Sequence, residues 1–154
     1  MGKNKIVIER LNKSNIRYVD DIDNIQGGYE HLVLSRQNII DDIASPSSYY
    51  IIAKLDDNIL GFCGINILYD HADITGMAVK KDFERHGIGR ILMNSIFQKC
   101  RDLNIMDLFL EVRASNIAAL GFYENIGFKQ ISKRKGYYDK GLEDAYIYTI
   151  KMED

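Results

Sequence analysis

The sequence predicts one α/β (α+β) domain, a mixed and mostly antiparallel central sheet with helices set between runs of strands. Three observations predict it. Seven short stretches read as strands, bounded by turn residues, and four stretches repeat apolar residues at helical spacing. Between Met77 and Met93 an apolar strand end runs through a charged, glycine-bearing turn directly into the longest helical pattern. The chain of 154 residues is long enough to bury one core, and its composition does not shift anywhere as a linker would, so residues 1–154 read as a single domain.

Lys5 to Glu9 reads as the first strand. From Ser14 to Ile25 the pattern is helical, with Ile16, Val19, Ile22 and Ile25 on one face, and Gly27-Gly28 breaks it into a link carrying Tyr29 and His31. Ser35 is a good N-cap for a second short helix bearing Ile39, Ile40 and Ile43, which ends at Pro46 and its serines. Tyr49–Leu55 and Ile59–Leu68 pair as a hairpin about Asp56-Asp57-Asn58. After Asp70-His71, Ala72 to Val79 returns as the strand that enters the glycine turn. Ile88, Ile91, Leu92, Ile96, Cys100 and Leu103 define the long amphipathic helix, and Asn104 suits its C-terminal end. Met106 to Val112 is almost wholly apolar, as a strand covered on both faces is. Ser115 or Asn116 caps a helix over Ile117–Asn125 that Gly127 ends, and Phe128–Lys133 and Asp144–Met152 close the sheet.

Composition excludes several classes. A net charge of −2 argues against a general nucleic-acid binder, which needs a basic face to release counterions. No stretch approaches the roughly 20 apolar residues of a membrane span, and the N-terminus lacks the apolar core of a secretory signal. Cys63 and Cys100 form no C-x-x-C pair and read as reduced core thiols of a cytoplasmic protein. His31, His71 and His86 are scattered without metal-ligand spacing, so no metal is expected.

The turn itself carries the functional signal. The first N–H groups of a helix lack intrahelical partners, and the macrodipole adds positive potential, so a strand–turn–helix junction is an anion site. Gly87 and Gly89 lack the Cβ that would hold a phosphate away from the amides of Gly87, Ile88 and Gly89, while Arg85, His86 and Arg90 surround the point with side-chain donors. Two glycines in a turn beside a solvated basic patch would read the same way, so the turn alone does not decide.

The rest of the chain adds to it. Glu84-Arg85-His86-Gly87-Ile88-Gly89 resembles the R/Q-x-x-G-x-G/A signature of the GNAT superfamily of acyl-CoA N-acyltransferases, with Glu84 where that family carries Gln or Arg. Leu110-Glu111-Val112-Arg113-Ala114-Ser115-Asn116, Phe122-Tyr123-Glu124, Gly127-Phe128, Arg134, Tyr137-Tyr138 and Glu143-Asp144-Ala145 follow in order. This string is similar to the RimI-type ribosomal-protein-alanine N-acetyltransferases from about Met77 to the C-terminus. Earlier the likeness thins: Leu34-Ser35 stands where the family often has Trp-Ser. The resemblance implies the GNAT fold, seven strands and four helices, and acetyl-CoA as donor with coenzyme A as product. It also implies that the free backbone of Met77, Ala78 and Val79 pairs with the pantetheine arm.

It assigns roles to residues that pattern alone leaves open. Glu111, a lone carboxylate on an apolar strand, is the family's proton acceptor, a role that partial desolvation would favour; by pattern it is a strand-end glutamate paired with Arg113 or facing water. Tyr123 is the family's general acid toward the leaving thiolate; by pattern it is a core aromatic sharing a face with Leu120. Asn116 bonds the pantetheine arm or caps its helix. Arg134, Tyr137, Tyr138 and Glu143 line the acceptor entrance or form a polar loop joining two strands.

The function so implied is acetyl transfer from acetyl-CoA to a primary amine, foremost the N-terminal α-amine of a protein such as a ribosomal protein beginning with alanine, in the cytoplasm. An acetyltransferase of lysine, polyamines or other small amines keeps the donor and changes the acceptor. A non-catalytic acyl-CoA-binding module would bind coenzyme A without turnover.

Overall fold

The computed structural model describes residues 5–31 and 34–152. Its strands are β1 (Ile6–Leu11), β2 (Ser48–Leu55), β3 (Asn58–Leu68), β4 (His71–Val79), β5 (Asp107–Arg113), β6 (Lys129–Tyr138) and β7 (Glu143–Lys151). Its α-helices are α1 (Val19–Gln26), α2 (Arg36–Ile43), α3 (Ile88–Asp102) and α4 (Ile117–Ile126). The strands form one sheet in the order β1-β2-β3-β4-β5-β7-β6, antiparallel throughout except where β4 meets β5. The expected mixed sheet and its helices are therefore present.

The sheet separates two apolar layers. One packs Ile88, Leu92, Met93, Ile96 and Cys100 of α3 and Tyr123 of α4 on Cys63, Ile65, Leu108 and Leu110. The other packs Val19, Ile22 and Ile25 of α1 and Ile39 of α2 on Tyr50, Ile52 and Phe62. β3 is buried on both sides because it lies between them. Both cysteines are buried and unbridged, and burial pushes the Cys100 thiol up to about 11.

Local signals set most boundaries. Ser35 accepts from the Asn38 N–H at 3.0 Å and starts α2. Asn104 takes a left-handed φ of 58°, so its N–H bonds Arg101 and that of Ile105 bonds Cys100, ending α3. Three expectations need correction. The first helical segment is split: a 3-10 turn over Lys13–Tyr18, capped by Asn12 and not begun at Ser14, precedes α1, because Asn15 leaves helical geometry at φ −123° to bond Glu9 and Arg10. β5 is fully buried on one face alone, with Leu108, Leu110 and Val112 inward, while Phe109 and Arg113 on the other are half-buried and Glu111 is exposed. β6 runs on to Tyr138, so Arg134, Tyr137 and Tyr138 lie on a strand and only a short turn precedes β7. Among the described residues no helix is long and apolar enough to cross a membrane.

Candidate active site

β4 and β5 pair in parallel at only three positions, His71↔Asp107, Ala72↔Leu108 and Asp73↔Phe109. Beyond them β4 stays paired to β3 as far as Val79, and β5 to β7 as far as Arg113. Each strand keeps its outer partner and loses its inner one, so the sheet opens in a wedge between Ile74–Val79 and Leu110–Arg113. Backbone groups of a strand alternate in direction. The Val79 carbonyl points away from β3, where it accepts from the Tyr29 hydroxyl, and Met77, two residues earlier, faces the same way.

At the wide end of the wedge the chain makes a 3-10 turn over Lys81–Phe83, passes Glu84 to Gly87 and enters α3. Arg85 and Gly87 both take left-handed φ angles, 64° and 81°. The first helical backbone bond runs from the Ile91 N–H to the Gly87 carbonyl, leaving the preceding amides at the helix start. A Cβ on Gly87 would meet nothing within 4 Å, so the approach to these amides is open. Gly89 is also needed for packing: its Cβ would stand 2.9 Å from the Phe122 ring and 3.3 Å from the Met77 methyl. It lets α4 close against α3. Among the other predicted residues, Arg85 and His86 are exposed, with His86 Nδ1 2.8 Å from the Glu84 carbonyl. The Ile88 side chain belongs to the core, and Arg90 donates to Asn125 of α4.

Tyr123 and Glu111 lie on opposite faces of the sheet beside this opening. Tyr123 is buried, edge-on to Phe122 and Phe128, and its hydroxyl donates to Met77 Sδ at 3.6 Å. Burial, with a smaller contribution from Cys63, holds the phenol well above its ordinary pKa. Glu111 lies on the more open face of β5, with its side chain 33% exposed. Its partner is Arg134, at 3.5 Å, rather than Arg113. Asn116 caps α4 with its side chain, accepting from the Ala119 N–H at 3.2 Å.

The remaining acceptor-side candidates form a network at the end of β5. Arg113 donates to Asp139 at 3.0 Å and Glu143 at 3.1 Å and stacks on Tyr138 at 4.1 Å. Glu143 also accepts the Ser115 N–H at 2.8 Å, so it braces the loop before α4. Arg134 lies over the Tyr137 ring at 5.3 Å. His31 reaches this end as well, its imidazole within 4.8 Å of carboxylate oxygens of Asp139 and Glu143, a grouping that sequence spacing could not reveal. Both carboxylates already hold Arg113.

The family model described as the Acetyltransferase (GNAT) family matches residues 16–128. The chain is a GNAT acetyltransferase. It is 37% identical over 107 residues to the ribosomal protein bS18-alanine N-acetyltransferase of Salmonella typhimurium, covering 67% of this chain and 72% of that one. The corresponding Escherichia coli protein is 34% identical over the same share. A crystal structure of the ribosomal-protein-S18-alanine N-acetyltransferase from Escherichia coli superposes with a TM-score of 0.84 over 97% of this chain and 96% of that one, at 24% identity.

GNAT membership makes the protein an acetyl-CoA-dependent N-acetyltransferase. Its geometry fits the donor: an open helix start at Gly87 suits a diphosphate, and the unpaired inner edge of β4 suits an amide-bearing arm. Three residues without a site role in the sequence pattern support this geometry. Phe122 fills the space that Gly89 leaves, Asn125 holds Arg90, and Tyr29 caps the end of β4. The only sequence hint of Tyr29 was its place after Gly27-Gly28.

Proposed function

We propose that this GNAT enzyme acetylates the N-terminal α-amine of a protein in the cytoplasm, with the alanine terminus of ribosomal protein bS18 as its acceptor. The acceptor follows from the names of its relatives at 34–37% identity. The observation that supports the chemistry is the Tyr123 hydroxyl, which donates to a sulfur, Met77 Sδ, at the edge of the β4–β5 wedge. A phenol that finds a thioether there is set to find a thiolate.

In this reading the wedge-facing backbone of Met77 and Val79, on either side of Ala78, bonds the pantetheine arm together with Asn116, and the turn from Arg85 to Arg90 holds the diphosphate. Acetyl-CoA supplies a thioester carbonyl open to attack. An α-amine, with an ordinary pKa near 7.7–8.0 against about 10.4 for lysine, has an appreciable neutral fraction at physiological pH. Glu111, directly or through one water, takes the proton the nitrogen loses as its bond to carbon forms. Tyr123 gives its proton to the sulfur as the carbon–sulfur bond breaks, and burial keeps it protonated until then. Arg134, Tyr137 and Tyr138 border the acceptor's approach to Glu111, and Glu143 holds Arg113 behind them.

The test offers alanine-initiated peptides, Nα-blocked lysine peptides and polyamines in parallel with labelled acetyl-CoA, and locates the modified nitrogen by mass spectrometry. The expected product is the α-acetylated alanine peptide. Faster acetylation of a lysine side chain or a polyamine would overturn the acceptor assignment, and coenzyme A binding without turnover would overturn catalysis. Glu111→Gln is expected to lower kcat about 10²-fold with acetyl-CoA affinity retained.

A further inference from the structure

We propose that Tyr29 and Glu84 form a hydrogen-bonded joint that fixes the 27–31 link across the mouth of the β4–β5 wedge, making both of them positioning residues for the acceptor. The proposal rests on the acceptor reading above and adds residues that it does not use.

The link touches the end of β4 on one side and, on the other, the two carboxylates that hold the end of β5. At one side the single Tyr29 hydroxyl proton lies between the Val79 carbonyl, at the end of β4, and Glu84 Oε1 at 3.0 Å. The Lys81 ammonium sits 5.1 Å from the Tyr29 ring centroid, and Gly28 packs close to the Lys81 side chain. At the other side His31 approaches Asp139 and Glu143, the two carboxylates that hold Arg113 at the end of β5. A chain of a few residues thus bridges strands that no longer pair with each other.

The joint also accounts for the residue at which the turn departs from the family signature. A Gln or Arg at position 84 would offer a donor toward phosphate, whereas the Glu84 carboxylate can only accept when ionised. It accepts from Tyr29, so it serves the link rather than the cofactor. Glu84 is the first residue of the cofactor turn, yet its side chain bonds Tyr29 while the amides open to a diphosphate lie at the start of α3, after Gly87. Desolvation and the neighbouring carboxylate hold the Tyr29 phenol above its ordinary pKa, which keeps its proton available to the joint.

The experiment compares Tyr29→Phe, Glu84→Ala, Glu84→Gln and the Tyr29→Phe/Glu84→Ala pair in the full chain. Each is read by its KM for an alanine-initiated peptide, its KM for acetyl-CoA, and amide hydrogen exchange over residues 27–31 and 84–89. Tyr29→Phe and Glu84→Ala are expected to raise the peptide KM about tenfold, the scale of one lost hydrogen bond to a charged group, without raising the KM for acetyl-CoA. Glu84→Gln is expected to keep the peptide KM of wild type, because its amide oxygen still accepts, while its new N–H donors should lower rather than raise the KM for acetyl-CoA. The double variant should be no worse than either single one, as members of one contact are not additive. Exchange over 27–31 should quicken in Tyr29→Phe while that over 84–89 does not. An unchanged peptide KM, an equal rise in both KM values, or additive losses would overturn the joint. If wild type acetylates no alanine peptide, the acceptor reading falls, and the exchange comparison decides the joint alone: equal rates over 27–31 in wild type and Tyr29→Phe would refute it.

Discussion

The Tyr123 hydroxyl lies 3.6 Å from Met77 Sδ, a hydrogen bond from α4 to the part of β4 that has parted from β5. A thioether is a weak acceptor, so this contact holds the phenol's direction more than it holds energy. Tyr123→Phe keeps the buried ring among Phe122 and Phe128 and removes only the donor. We expect kcat to fall about 10²-fold while acetyl-CoA affinity changes little. The sign of the pH effect is fixed by burial. The phenol is held above its ordinary value near 10 and so stays protonated through the working range. The kcat–pH profiles of wild type and Tyr123→Phe should therefore share one shape below about pH 10 and differ in height. A wild-type alkaline limb below about pH 10 that vanished in the variant would show that burial does not hold the phenol up, and an unchanged kcat in Tyr123→Phe would refute its role as the acid.

The two glycines of the turn should fail in different ways. Gly87→Ala places a Cβ on a left-handed residue, φ 81°, at a cost of about 1–2 kcal/mol. That strain falls on the amides facing the donor, so acetyl-CoA affinity should drop with stability. Gly89→Ala instead drives a methyl to within 2.9 Å of Phe122 Cζ and should cost about 1–3 kcal/mol by overpacking. Adding Phe122→Leu should restore much of the melting temperature of Gly89→Ala and none of that of Gly87→Ala. Calorimetric unfolding of the four variants checks this, and equal rescue of both glycine variants would contradict it.

The difference between these glycines shows where sequence reading stops. The turn, the helix start and the period of α3 were legible because each is written within a few residues: Gly87, Ile88, then apolar positions three and four apart. The reason for Gly89 was not legible, since it depends on Phe122 more than thirty residues away in the chain. β5 misled for a related cause. An apolar run reports what a strand carries and not what covers it, and Phe109 and Glu111 turn to the face that the helices leave bare. The partner of Glu111 was set by the register of β5, β7 and β6, which brings Arg134 rather than Arg113 beside it.

Gly64 offers a test of the other apolar layer. Its Cβ would stand 2.4–2.7 Å from three ring atoms of Tyr50. That ring cannot move aside: it is buried, stacked on Phe62, and tied through its hydroxyl to Asp42 at 2.5 Å and Thr75 at 3.0 Å. Gly64→Ala should therefore cost about 3 kcal/mol or more, the upper range for overpacking. Denaturant unfolding checks it, and a loss below about 1 kcal/mol would mean that the layer repacks around Tyr50.

Glu143 ties stability to acid. Ser115, through its hydroxyl and its N–H, and then Arg113 hold the Glu143 carboxyl below the ordinary range. A depressed carboxyl contributes fully above its unfolded value near 4.3, and that contribution is lost as pH falls through the folded value below it. Wild-type melting temperature should hold from pH 7 to about 5 and then decline. Glu143→Gln should melt lower at pH 7, because Arg113 keeps only Asp139, and its decline below about pH 4.3 should be shallower. The slope should not vanish, since Asn15 and Lys54 hold Glu9 down in the same sense. Parallel declines in the two proteins would show that the Glu143 contacts give no pH-dependent support to the loop before α4.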